Sequence, residues 1–145
     1  MEMQELGYNY RITDFQAALG KSQLKRADLG IARRRGIAAR YKEAFKDLEE
    51  EVDRNPGDDG RHAYHLYVIE AERRLDLYNH LRSKRIFVQI HYIPLHLMPY
   101  YKKDGVIFPH AEAYYKKCLS LPMFPTLTDE EQEFVIDEIR RFYNP

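Results

Sequence analysis

Leu6-Gly7-Tyr8-Asn9-Tyr10-Arg11-Ile12-Thr13-Asp14-Phe15-Gln16-Ala17-Ala18-Leu19-Gly20 joins a polar, aromatic loop to a strongly signalled helix start. Thr13 can cap the helix with its hydroxyl, and Gln16, three residues on, can reach back to the Thr13 backbone, a capping box. Asn9 and Arg11 therefore sit just upstream of a fixed helix terminus. A short amide and a guanidinium held there suit an anionic group such as phosphate. On local chemistry alone, a plain helix entry whose polar residues satisfy loop backbone accounts for the same pattern.

Outward from this start, apolar positions recur at Phe15, Leu19, Ala27, Ile31, Ala38, Tyr41, Phe45 and Leu48. The intervals are mostly three, four or their multiples, the spacing of one helical face. A continuous helix from Thr13 to Leu48 would be about 50 Å long at about 1.5 Å per residue. Gly30 is the expected place for a break or a close helix contact. Asn55-Pro56-Gly57-Asp58-Asp59-Gly60 is a turn cluster. His62–Ile69, rich in aromatic and β-branched residues, reads as a strand. Leu75, Tyr78 and Leu81 mark a short amphipathic helix, and Ile86–Tyr92 is a second strand that Pro94 ends. Pro109 suits a first helical turn, and the helix after it carries Ala111, Tyr114, Tyr115 and Cys118. Pro122 and Pro125 keep the next stretch extended. Thr128 and Glu131 form a second capping box before a last helix with Val135, Ile139 and Phe142 on one face. Few strands among several helices predict a small α+β domain, a sheet covered by helices.

Composition narrows the function. With 145 residues and 44% hydrophobic content the chain can bury one real core. Lys+Arg and Asp+Glu stand at 23 each, so no net positive field exists to attract nucleic acid. Arg33-Arg34-Arg35 does not alter this, because successive helical residues turn by about 100° and cannot form one patch. A solvated face with ion pairs to Asp28 or Glu43 is the expectation, and Glu49-Glu50-Glu51 reads as a solvated helix end. A lone cysteine, Cys118, excludes an internal disulfide and suits a reducing compartment. No apolar run approaches the roughly 20 residues that span a bilayer, and the polar start at Met1–Glu5 does not resemble a secretory signal. The expected location is the cytoplasm, without membrane contact.

Among the histidines, His62 and His65 point to opposite faces of the expected strand, His80 is expected to be solvated on the polar side of a helix, and no Cys/His spacing fits a metal. His91 and His96 differ. Ile86, Val88, Ile90 and Tyr92 share the natural core face, so Gln89 and His91 share the other. Such a pair marks either an exposed sheet face or a cleft with polar contents. The 12 tyrosines suit interfaces or sugar stacking, and equally half-buried packing. No P-loop, G-x-G-x-x-G or G-x-S-x-G is present.

The segment Gly7–Leu24, with its G-Y-N-Y-R-I-T-D-F-Q-A-A-L-G pattern, resembles the opening of the C-terminal part of DegT/DnrJ/EryC1/StrS sugar-nucleotide aminotransferases, fold type I enzymes that use pyridoxal 5′-phosphate (PLP). The likeness continues through Arg33-Arg34-Arg35, through Val88–His96, and through Leu119-Ser120-Leu121-Pro122-Met123-Phe124-Pro125, three motifs in the family's order. The H-Y-I-P-x-H and L-S-L-P-M-F-P runs most resemble the branch that aminates UDP-4-keto-6-deoxy-HexNAc sugars in pseudaminic acid and spore-coat polysaccharide synthesis.

The resemblance implies the C-terminal small domain of such an enzyme over residues 1–145, with a loop and long linking helix at 1–50 and an α+β core at 61–145. It implies PLP as cofactor, glutamate as amino donor, amination at C4 of a UDP-linked keto sugar, and a homodimer. It places Asn9 on the PLP phosphate of the neighbouring subunit, with Arg11 as helper, and His91, Tyr92 and His96 at the sugar. No lysine here lies in the serine-containing context of the family's Schiff-base lysine. The large cofactor-binding domain is absent too, so the chain alone is expected to be inactive, with no catalytic residue and no metal site. The competing expectation is a free-standing, non-catalytic binding or dimerisation domain of the same fold.

Overall fold

The computed structural model describes residues 5–48, 52–54, 61–103 and 105–144, with only the backbone of 53 and 54. The turn cluster at 55–60 and the acidic run at 49–51 lie outside the described residues. The element order is α1 (Asp14–Leu24), α2 (Ala27–Ala44), β1 (Val52–Arg54), β2 (Tyr67–Ala71), α3 (Arg74–Ser83), α4 (Pro109–Lys117), β3 (Cys118–Leu121) and α5 (Asp129–Tyr143). The fold is α+β, as expected.

Both capping boxes form. The Thr13 side chain accepts from the Gln16 N–H while Gln16 reaches back, and Thr128 and Glu131 do the same at α5. The long helix does break, but at Lys25-Arg26 rather than Gly30. Arg26 leaves helical geometry at φ −111°, ψ 2°, and its guanidinium is tied back to Gln23 Oε1 at 3.0 Å. Gly30 continues α2 and lies against the Pro125 ring. The two helices then have different fates. Ile37, Ala38 and Tyr41 of α2 enter the core, whereas α1 buries no residue and leaves Phe15, Leu19 and Leu24 exposed.

The sheet is antiparallel in the order β1-β2-β3, with Tyr67 opposite Leu121 and Ile69 opposite Leu119. Tyr67, Ile69 and Ala71 alternate with half-buried neighbours, so one face packs on Tyr41, Leu77, Leu81, Val135 and Ile139 from α2, α3 and α5. The expected strand at 62–69 begins only at Tyr67. Tyr64 adopts φ +50°, incompatible with a strand, and is held there by its N–H donating to His62 Nδ1 at 2.9 Å and by Arg34 on its carbonyl at 3.0 Å. His62 and His65 are thus loop residues. The expected strand 86–92 is reduced to one bridge, Gln89 with Ser120. Its alternation holds through buried Ile86 and Val88 to half-buried Ile90 and fails at exposed Tyr92, because beyond Gln89 no ladder bond to β3 holds the chain. Cys118 belongs to β3, not to the helix before it, its backbone already extended at ψ 136°.

Two polar expectations are corrected. The arginine triplet does fan out, but each member grips a loop: Arg33 holds the Leu127 carbonyl and Asp129, Arg34 the carbonyls of Tyr64, His65 and Met123, and Arg35 that of His62. His80 is not merely solvated; its Nε2 lies 3.1 Å from the buried Glu138, which also meets Lys84 and Arg141.

Candidate functional site

The polar loop before α1 places Asn9 and Arg11 in the open. Asn9 Oδ1 accepts the Arg11 N–H at 3.1 Å, an Asx-type turn that fixes the amide and commits its acceptor. The amide NH₂ and the guanidinium are the donors this arrangement offers. An amide and a cation beside a helix N-terminus fit a phosphate chemically. Both residues are exposed, however, so the chain's own atoms do not enclose a ligand there.

His91 lies where the Gln89–Ser120 bridge ends. Its Nδ1 is 2.7 Å from Ser120 Oγ, and its ring meets Tyr92 edge-on at 4.6 Å. With Gln89 and Ser120 it lines a cavity of about 470 Å³ whose apolar rim includes Phe87, Phe124 and Phe134. The expected pairing of Gln89 and His91 on one face is therefore seen, and both border this open, largely apolar cavity. Tyr92 is 71% exposed.

His96 faces a second cavity, of about 490 Å³, bordered by Pro94, Leu95, Phe108, Pro109 and His110. Pro94 leads into a single 3-10 turn, Leu95–Leu97, that seats the imidazole against the start of α4. There His96 Nε2 is 2.9 Å from Glu112 Oε1, the same oxygen accepts the Phe108 N–H at 3.2 Å, and the ring packs edge-on against Phe108 at 4.9 Å. The hydrogen bond from His96, aided by that from Phe108, holds the Glu112 carboxyl below the usual glutamate range.

The five residues singled out from sequence thus form three groups: Asn9 with Arg11, His91 with Tyr92, and His96 in its own cavity. Two partners escaped the sequence reading. Ser120 carried a usable signal, since Leu119-Ser120-Leu121 alternates and puts the hydroxyl opposite the core. Glu112 carried none, because an acid in the first turn of a helix reads as a dipole-complementing surface residue.

Residues 1–140 match the DegT/DnrJ/EryC1/StrS aminotransferase family. Over 150 aligned residues the chain is 39% identical to the spore coat polysaccharide biosynthesis protein SpsC of Bacillus subtilis strain 168, a match covering 96% of this chain and 39% of SpsC. DesV of S. venezuelae superposes with a TM-score of 0.89 at 30% identity, over 98% of this chain and 39% of DesV. PseC of Helicobacter pylori, an aminotransferase involved in the biosynthesis of pseudoaminic acid, gives a TM-score of 0.81 at 26% identity, over 97% of this chain and 40% of PseC. The chain spans about 39% of the length of the relatives it matches.

Proposed function

The chain belongs to the DegT/DnrJ/EryC1/StrS aminotransferase family, and from that premise we propose that it is the C-terminal small domain, residues 1–145, of a PLP-dependent sugar-nucleotide aminotransferase that works as a homodimer. The observation that carries the reading is the donor pair at the α1 entrance. Asn9 and Arg11 present an amide NH₂ and a guanidinium on an exposed loop, an incomplete phosphate cradle that a neighbouring subunit would close. PLP supplies an electron sink that lets an amino group pass from glutamate to a keto sugar. Asn9 and Arg11 hold its phosphate. His91, with Gln89 and Ser120 in the cleft, His96 in its adjoining turn and the exposed Tyr92 ring bind and orient the sugar.

The substrate we assign is a UDP-linked 4-keto-6-deoxy-N-acetylhexosamine aminated at C4, feeding a surface polysaccharide or glycan. Similarity to SpsC and PseC supports this branch. Among the described residues no helix is long and apolar enough to cross a membrane, and the assigned compartment is the cytoplasm. The test is product analysis with the full-length parent, PLP, glutamate and keto sugars carrying UDP, GDP or dTDP. Amination at C4 of the UDP sugar is expected. Preference for another nucleotide overturns the substrate, and no transamination of any of them overturns the activity.

One observation favours a second reading, a non-catalytic binding or dimerisation domain. Phe15, Leu19, Leu24 and Leu29 leave an apolar stretch of α1 and α2 uncovered, 53–80% exposed. Sedimentation of the chain together with a transamination assay of the full-length parent separates the two: a stable dimer whose parent carries out no PLP chemistry favours the second.

A further inference from the structure

We propose that Glu112 is a positioning residue for the sugar site: it holds the His96 ring with Nε2 protonated, so that Nδ1 offers a lone pair to a hydroxyl of the sugar. The inference rests on the placement of His96 at the sugar made above. Glu112 Oε1 lies 2.9 Å from His96 Nε2 and also accepts the Phe108 N–H at 3.2 Å. A carboxylate whose acidity is strengthened by those two bonds is ionised at neutral pH and can only accept. The proton shared with His96 therefore sits on Nε2, and in the neutral imidazole Nδ1 is the acceptor.

The ring has little freedom to do otherwise. Its side chain is 9% exposed, Phe108 packs against its edge, and Pro94 with the 3-10 turn fixes its backbone. His96 borders a largely apolar cavity with Pro94, Leu95, Phe108, Pro109 and His110, where a few oriented polar groups decide which ligand atom is accepted. A neutral acceptor backed by a carboxylate takes a hydroxyl donor and rejects a diphosphate oxygen, which has no proton to give and carries like charge. His96 thus reads the sugar ring, and the diphosphate lies elsewhere.

The test has two arms. Two-bond ¹H–¹⁵N spectra of the histidine-labelled chain near neutral pH should show His96 protonated at Nε2 alone. E112Q, whose amide oxygen still accepts, should keep that tautomer, and E112A should release a mixture. In the full-length parent, E112A should raise KM for the nucleotide sugar by about 10-fold with kcat within about 2-fold, while E112Q stays near wild type. A wild-type ring protonated at Nδ1, or at both nitrogens, overturns the inference. So does an unchanged KM in E112A whose melting temperature alone has fallen, since Glu112 is then only a brace for the turn. If the wild-type parent aminates no nucleotide keto sugar, the proposed reaction falls, while the spectra still decide the tautomer by themselves.

Discussion

Asn9 Oδ1 is committed to the Arg11 N–H, which fixes the amide and leaves its NH₂ as the group it offers a ligand. If Asn9 holds the cofactor phosphate as proposed, Asn9→Ala in the full-length parent should remove one charge-assisted hydrogen bond, about 1.5–3 kcal/mol. Equilibrium titration should show PLP dissociation weakened by about 10- to 150-fold. An unchanged constant means Asn9 serves the helix entry alone. His91 shows how contact alters a sequence expectation. A place on the non-core face predicts that removing His91 leaves stability nearly unchanged, yet its Nδ1 meets Ser120 Oγ, a hydroxyl in a residue only 4% exposed. His91→Ala should cost about 1–2 kcal/mol by stranding that hydroxyl, and thermal melting of the chain checks it. His91→Ala with an unaltered melting temperature would show that water replaces the imidazole there. The side of the chain on which His91 falls was legible, since alternation is a local property. Its partner was not, because Ser120 is 29 residues away and only the bridge at Gln89 brings it near.

The two capping boxes are equal in sequence and unequal in consequence. Thr128 starts α5, whose Val135, Ile136 and Ile139 are core residues, so Thr128→Ala should destabilise the whole chain by about 1 kcal/mol. Thr13 starts α1, which buries nothing, and Thr13→Ala should fray that helix while global unfolding in denaturant stays unchanged. Equal shifts of the denaturant midpoint in both variants would contradict this. Between α3 and α5 sits buried Glu138. Burial alone would raise its pKa, but the hydrogen bond from Arg141 and the charge of Lys84 outweigh it and leave the carboxyl below the ordinary 4.5. A depressed folded pKa contributes stability above the unfolded value and loses it as pH falls through the folded one. Stability should thus drop on acidification below about pH 4.5, and Glu138→Gln should flatten that part of the profile. Denaturant melts between about pH 3 and pH 6 measure both. Sequence marked α3 and α5 by their periodicity, but nothing in it coupled Glu138 to His80 across 58 positions.

At the scale of the molecule, a core built from α2, α3, α5 and one sheet face carries a loop and a helix that the core leaves uncovered. The chain alone should consequently hold PLP weakly and transfer no amino group, since Asn9 and Arg11 stand exposed. An absorbance band of a PLP imine, trapped by borohydride at one specific lysine, would contradict that. Sequence by itself determined the α+β class, both helix starts, the core positions of Ile86, Val88, Val135 and Ile139, and the face shared by Gln89 and His91. These follow from periodicity and capping, which act over a few residues. Only the tertiary structure decided that residues 62–66 of the expected strand form a loop around Tyr64, that the long helix breaks at Arg26, that Arg33, Arg34 and Arg35 bind the two loops before β2 and before α5, and that His91 and His96 line separate cavities. Apart from the break at Arg26, tied locally to Gln23, these depend on groups distant in the chain meeting in space: a carbonyl waiting for a guanidinium, or Glu112 waiting for an imidazole, is selected by the packing of whole elements and leaves no local pattern to read.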